Sequence, residues 1–316
     1  MKKISYMKIQ ENIPLNDKTW FETGGPARYY AEPISIDDYK SALDFAKQQN
    51  CEIFLLGCGA NILISDDGFN GLVIKSANAN CEIIFAEKDK NNVLVRAGAG
   101  ISIQDFIDFS LDNNLTGMEE FSGIPGTIGG AIFINIHYFE FLLSQFLVCA
   151  RVINKRTHEI NEVSLDWFDF GYDKSKLHNN EWILYDAVFK LKKVGNIETA
   201  FARGRSAEII RHRENKYPID RTCGSFFQNF SPDEINDNKQ IHIAYYLDKL
   251  GIKGELSVGG AIVSHMHANM IVNTGTATSS DIINLAIKMQ ELVKEEYGIN
   301  PKPECQLIGF DKNPLK

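Results

Sequence analysis

No Cys-x-x-Cys pair occurs in the 316 residues, and the six cysteines (Cys51, Cys58, Cys81, Cys149, Cys223 and Cys305) are scattered without framework spacing. In a chain of this length that excludes a disulfide-stapled scaffold and reads as reduced thiols in a cytoplasmic protein. Metal-ligand spacing is missing too: His265 and His267 stand two apart with no partners near them in sequence, so no metal is expected. Basic charge is in short supply, with 33 Lys+Arg against 41 Asp+Glu and a net charge of −8. That balance argues against a nucleic-acid binder or a polybasic membrane protein, yet leaves room for an anionic small substrate beside a local basic cluster. The longest apolar run, 131–146, is broken by Asn135, His137, Glu140 and Gln145, and the N-terminal MKKISYMKIQENIP has no apolar core of signal-peptide length. Neither membrane insertion nor a secretory leader is expected.

What is present is ordinary globular material, 44% hydrophobic and 23% charged, and long enough for two domains or one domain of two lobes. Ser35-x-x-Asp38 predicts the start of a helix carrying Tyr39, Leu43 and Ala46 on one face. Ile53–Leu56 reads as a buried strand ending in Gly57-Cys58-Gly59-Ala60-Asn61. A strand over 93–97 runs into Gly98-Ala99-Gly100, and Ser102-x-x-Asp105 caps a second helix. Further strands are expected near 148–153 and 182–191. Near 193–198 the chain changes character: a basic helix over 199–214, a short helix near 244–250, small strands at 261–264 and 270–272, then a long helix from Ser279 or Ser280 that Gly298 stops. The domain boundary is expected there, with residues 1–194 on one side and 195–316 on the other.

Glycine is concentrated where it can matter. Phe121–Asn135 (FSGIPGTIGGAIFIN) holds Gly123, Gly126, Gly129 and Gly130 beside Pro125, and its interleaved isoleucines argue against a solvated linker. A tight structural turn is one reading. The favoured one is a backbone bed for a large planar cofactor, with Ser122 and Thr127 adding hydroxyls. Gly57–Asn61 offers a nest of main-chain N–H groups suited to a pyrophosphate. It lacks the GxGxxG pattern, and the acidic residue about 20 positions on, of a Rossmann dinucleotide site. Together the three glycine-rich turns suggest a dinucleotide gripped by backbone, with the wide apolar bed favouring an isoalloxazine over a nicotinamide.

Three further features could carry chemistry. Ser225, after Gly224 and before Phe226-Phe227, is either a proton donor shielded from water or an incidental hydroxyl on a core hairpin. Lys216, in Lys216-Tyr217-Pro218, could meet a phosphate or carboxylate, although a lone lysine is more often a solvated charge. Glu304 would have a raised pKa if buried and could act as a neutral acid; an edge-strand glutamate facing water is the plainer reading.

Taken in order, TWFETGGPA, LGCGANILISDDGFNGLVIK, AGAGISIQDFI, FSGIPGTIGGA, FGYDKS, KYP…CGSFFQN, LGIKG…GGAIVSHMHANMIVNTGTAT and PECQLIG resemble the UDP-N-acetylenolpyruvoylglucosamine reductase family over about residues 10–310. The short GSFF region resembles the subtype without an extra tyrosine loop. The resemblance implies an α+β chain: a two-lobed FAD-binding domain of the vanillyl-alcohol-oxidase type (lobes of about 1–80 and 81–194), then an α+β substrate domain. It implies FAD and NADPH as cofactors, a nucleotide-sugar substrate in peptidoglycan precursor synthesis, and a cytoplasmic monomer. The motifs that match place cofactor contacts at Gly57, Cys58, Gly59, Ala60, Asn61, Ser122, Gly123, Pro125, Gly126, Thr127, Gly129 and Gly130. They imply Ser225 as proton donor, Glu304 as the glutamate that stabilises an enolate, and Lys216, Asn229 and Tyr172 as substrate-binding residues.

Two stretches depart from the family pattern. Where it has Tyr-Arg-(Asp/Asn)-Ser, this chain has Tyr172-Asp173-Lys174-Ser175, so Lys174 becomes the candidate catalytic cation, without a guanidinium's two-pronged fork. Where the family has a small Ala-Gly-Ala-Tyr-Gly loop, the chain has Ile136-His137-Tyr138-Phe139-Glu140. These departures are the motive for two alternatives, a flavoenzyme acting on a different nucleotide sugar and a flavin-binding homologue with impaired turnover.

Overall fold

A computed structural model describes residues 7–84, 91–231, 235 and 240–315. The chain forms two packing units, and neither is continuous in sequence. The first is built from the segment up to Gln10, Tyr30–Cys58 and Gly71–Arg213; the second from Glu11–Tyr29, Gly59–Asn70 and everything from Glu214 onward.

Helix α1 (Ile36–Gln48) opens the first unit. The Ser35 hydroxyl accepts from the Asp38 N–H, and the Asp38 carboxylate accepts from the Ser35 N–H, as the capping-box pattern predicts. Tyr39, Ala42, Leu43 and Ala46 form its buried stripe. The strand Ile53–Leu56 runs parallel to Phe69–Lys75, in register from Ile53↔Leu72 to Leu56↔Lys75. The larger sheet is antiparallel, in the order Ile160–Ser164, Leu147–Asn154, Trp182–Lys193, Asn92–Gly98, Cys81–Ile84. Trp182–Lys193 lies at its centre because it is apolar on both faces for most of its length. Helix α2 (Ile103–Asp112), capped by Ser102, contributes Phe106 and Ile107 to the same core.

The short helix α3 (Ile128–Phe133) follows the glycine-rich turn, and the long helix α4 (Asn196–Lys216) begins where the domain boundary was expected. The packing units divide elsewhere, because α4 as far as Arg213 stays with the first. It is held there by polar contacts: Thr199 donates to Asn114 at 2.9 Å, Arg205 grips Glu120 at 3.0 and 3.1 Å, and the Ser206 and Ser122 hydroxyls meet at 2.7 Å. Its buried residues are Thr199, Ala202, Ser206 and Ile209, a seam without the apolar stripe that usually announces packing.

The second unit gathers three stretches around the core of Phe21, Leu63, Phe226, Phe227, Leu247 and Met289. Helix α5 (Ile243–Lys249) packs against helix α6 (Ser279–Tyr297). Thr278 and Asp281 form a capping box at the start of α6, and the Asp66 carboxylate accepts from the N–H groups of Ser279 at 2.7 Å and Ser280 at 2.9 Å. A carboxylate over a helix N-terminus is stabilising both as a hydrogen-bond acceptor and as a charge against the helix dipole. Gly298, at φ 69°, ends the helix in the left-handed region. The strands Ser257–Val258, Ala261–Val263 and Ile271–Asn273 form a small antiparallel sheet. The C-terminal strand Gln306–Ile308 lies parallel to Ile62–Ile64, pairing Gln306↔Ile62, Leu307↔Leu63 and Ile308↔Ile64. Among the described residues no helix is long and apolar enough to cross a membrane.

Candidate active site

In the first unit the glycine-rich stretch is fastened to the Gly98–Gly100 turn. Gly129 N–H donates to Ala99 O at 2.8 Å, Ile128 N–H to Ile101 O at 2.9 Å, and Ile103 N–H to Gly126 O at 3.0 Å. A side chain at Gly129 would stand 2.9 Å from the Ala99 oxygen, so the close approach of the two turns requires glycine. Much of the expected bed is therefore committed to structure. Gly123 accepts from Arg213 and donates to Gln104, both at 3.1 Å, and Gly130 N–H donates to Thr127 Oγ1 at 3.2 Å. Among the expected cofactor contacts, Ser122 has its hydroxyl engaged within the protein. Its side chain is fully buried, donating to Glu119 O at 2.7 Å and meeting Ser206, because α4 covers it.

The main-chain N–H groups of Gly126 and Thr127, beside half-buried Pro125, have no hydrogen bond among the described residues. Gly57 faces this corner, with Thr127 Oγ1 3.1 Å from where its Cβ would stand. The expected loop divides after Cys58: Gly57 and Cys58 belong to the first unit, Gly59, Ala60 and Asn61 to the second. Gly59, at φ 75°, would place a Cβ 2.6 Å from Lys18 O, a conformation and an approach that only glycine tolerates.

Two observations test whether these residues suit a dinucleotide. The side-chain oxygen of Asn61 is buried without a hydrogen-bond partner among the described residues, an acceptor that a ligand's hydroxyl or amide would satisfy. The space in front of Gly57 is one that any Cβ would narrow. Each, within its own unit, fits a part of an FAD held by backbone and small side chains.

In the second unit Ser225 and Glu304 are brought together through the main chain. Glu304 N–H donates to Phe226 O at 2.8 Å, Cys305 N–H reaches the same oxygen at 3.3 Å, and Gln228 N–H donates to Lys302 O at 2.9 Å. Glu304 is half-buried rather than on a solvent-facing edge. The Phe226 and Phe227 rings are fully buried. Each contributes about 1.5–3 kcal/mol of apolar burial to holding the loop down. Burial, and then the adjacent Cys305 thiol, pushes the Cys223 thiol well above its ordinary range, so it stays neutral.

Lys216 ends α4 with its ammonium over the Tyr217 ring, 5.2 Å from the centroid. Tyr217 helps line a cleft of about 600 Å³ with Pro218, Asp220, Ser264, His265 and Met266. Asn229 turns its side-chain oxygen to the Ile243 N–H at 3.3 Å, capping α5. Sequence reasoning missed Asn269, a buried amide bonded to the Ser225 loop; its only signal was its place inside the HMHANM motif.

Tyr172 and Asp173 form the tip of a turn closed by Gly171 N–H to Lys174 O at 2.9 Å, with Asp173 at φ 51°. The Asp173 carboxylate faces His137 Nδ1 at 3.4 Å, and the His137 ring lies 5.0 Å from that of Tyr172. Lys174 is exposed and near His178, whose imidazole is lowered first by burial and further by the lysine's charge. Ser175 donates to Phe133 O at 2.6 Å, tying the turn to α3.

Comparison with known proteins adds the family. Residues 27–155 match the FAD binding domain, and residues 215–308 match the UDP-N-acetylenolpyruvoylglucosamine reductase C-terminal domain. The UDP-N-acetylenolpyruvoylglucosamine reductase of Lachnoclostridium phytofermentans is 32% identical over 98% of this chain and 96% of its own length. That of Parasynechococcus marenigrum is 34% identical over 96% and 97%. The crystal structure of the Thermus caldophilus UDP-N-acetylenolpyruvylglucosamine reductase superposes with a TM-score of 0.76 at 26% identity, covering 96% of this chain and all of that one. The 6-hydroxy-D-nicotine oxidase of Arthrobacter nicotinovorans shares the fold at 12% identity and a TM-score of 0.54. The architecture is thus an α+β FAD-binding fold of the vanillyl-alcohol-oxidase type with a reductase C-terminal domain, and the chain belongs to the UDP-N-acetylenolpyruvoylglucosamine reductase family.

Proposed function

We propose that this chain uses NADPH to reduce UDP-N-acetylglucosamine enolpyruvate to UDP-N-acetylmuramate, an FAD-dependent step of peptidoglycan precursor synthesis carried out by a cytoplasmic monomer and serving cell shape and division. The observation that carries the reading is the hydrogen bond from Glu304 N–H to Phe226 O, 2.8 Å long, which sets the segments bearing Ser225 and Glu304 side by side. FAD, held by the residues named below, would supply two-electron hydride chemistry between the nicotinamide and the enolpyruvyl group.

The protein's own residues then manage charge and protons. Hydride addition leaves an electron pair on the carbon next to the carboxylate, delocalised as an enolate. Glu304 stabilises it as a hydrogen-bond donor, and the Ser225 hydroxyl gives that carbon its proton. Lys174, with Tyr172 beside it, supplies the positive charge that a carboxylate end requires. Lys216 meets the diphosphate, Asn229 contacts the sugar nucleotide, and the cleft at Tyr217 and His265 takes the uracil ring, a planar group suited to an aromatic wall. Gly57–Asn61 and the Gly126–Thr127 corner hold FAD.

Anaerobic stopped-flow spectroscopy tests the reading. NADPH bleaches the flavin absorbance of the purified protein, and UDP-N-acetylglucosamine enolpyruvate restores it. Rapid bleaching followed by no substrate-dependent recovery would reject the assigned substrate.

A further inference from the structure

We infer that Asn269 is a positioning residue for proton delivery by Ser225, an inference that rests on the reading above. Asn269 is 2% exposed and follows a turn pinned by Ser264, whose hydroxyl oxygen accepts from Met266 N–H at 3.0 Å. Its side chain does what a neighbouring strand would do. Oδ1 accepts the Phe227 N–H at 3.0 Å and Nδ2 donates to the Phe227 carbonyl at 2.8 Å. Its own carbonyl accepts the Phe226 N–H at 2.8 Å. Three bonds therefore fix the two residues immediately after Ser225.

The hold extends to Glu304. Phe226, fixed through its N–H by Asn269, presents its carbonyl to the N–H groups of both Glu304 and Cys305. The Asn269 backbone carbonyl thus reaches Glu304 and Cys305 through Phe226, while its side-chain amide fixes the adjoining Phe227, so the loop bearing the proton donor is held on both sides of its first peptide. The chemistry of the position is narrow. A group must accept on one atom and donate from another about 2 Å away, and a carboxylate of the same shape fails because it would face the Phe227 carbonyl with a second lone pair. A protonated carboxyl would succeed. The titratable and charged groups on the segments packed about Asn269 are His265, His267, Cys223, Lys302, Glu304 and Cys305, with Tyr217, Lys216, Lys253 and Asp248 facing His267.

The test uses the flavin-loaded protein with Asn269→Asp and Asn269→Ala, following each half-reaction separately between about pH 5.5 and 8.5 and measuring amide hydrogen exchange at Phe226, Phe227, Glu304 and Cys305. Reduction by NADPH should stay within about twofold of the parent in both variants. Reoxidation by the enolpyruvyl substrate should fall about 30-fold or more, with a larger solvent deuterium isotope effect, and exchange at the four amides should quicken. The Asn269→Asp variant should regain rate as pH falls and its carboxyl protonates, a profile absent from the parent and from Asn269→Ala. Asn269→Asp matching the parent at every pH would overturn the inference, as would equal loss of both half-reactions. A parent protein that the enolpyruvyl substrate fails to reoxidise would overturn the reading beneath it instead.

Discussion

Glu304 and Phe226 lie far apart in sequence, yet the amide of one donates to the carbonyl of the other at 2.8 Å. The bond places Ser225, next in the chain to Phe226, and the Glu304 side chain on either side of one main-chain contact. A reaction needing a proton at one atom and a hydrogen bond at a neighbouring group calls for that adjacency, and the contact itself is made by main-chain atoms.

Ser225→Ala should leave bleaching by NADPH unchanged and slow substrate-dependent recovery by about 100-fold or more. Equal recovery rates in variant and parent, measured under anaerobic stopped flow, would remove the serine from the proton path.

Lys174→Ala should slow the same recovery about tenfold, since the turn Gly171–Lys174 then offers no lysine charge to a carboxylate. If the variant is silent while His137→Gln slows recovery, the charge comes from the imidazole that faces Asp173.

Gly57→Val should emerge from purification depleted of flavin, with FAD affinity down about tenfold or more and far-ultraviolet circular dichroism unchanged. The added side chain would enter the space before Thr127 Oγ1, 3.1 Å from the Cβ position. A variant holding one flavin per chain as tightly as the parent would rule out that corner as part of the cradle.

Burial, followed by the charges of Lys216 and Lys253, lowers the His267 imidazole below its ordinary 6.5. The folded state therefore binds this proton less readily than the unfolded state, so stability is highest above the unfolded value and falls as pH drops below it. The neutral ring also accepts the Asn269 N–H at Nδ1, 3.3 Å away, a bond that protonation there would break. His267→Gln should flatten the fall of Tm between about pH 7 and pH 5. An unchanged slope would assign the acid limb to other groups.

Local order was legible where side chain and backbone speak to each other within a few residues. Ser35 with Asp38, Ser102 with Asp105, and Gly298 marked helix ends that the structure reproduces. Packing carried by polar seams was not. Helix α4 shows little amphipathic pattern because it docks through Thr199, Ser206 and Arg205, and so the change of character near 193–198 looked like a boundary. Ser122 read as a ligand hydroxyl because nothing in its vicinity reveals Ser206, 84 positions away. Beyond its place in the HMHANM motif Asn269 gave no sign of its work, since the partners of its side chain are main-chain atoms 42 residues distant. Glu304 owed its expected role to the family resemblance, since its local residues alone read as plainly as an edge glutamate facing water.

The parallel pairing of Ile62–Ile64 with Gln306–Ile308 has a consequence for how the protein is made. Ribosomes add about 5–20 residues each second, so an apolar strand finished early waits roughly 12–50 seconds for its mate to be synthesised. During that interval its amide and carbonyl row is an open template for strangers, the hazard of any bare sheet margin. The early strand is thus covered only once residues 306–308 have been made, and a chain truncated before them would lack its partner.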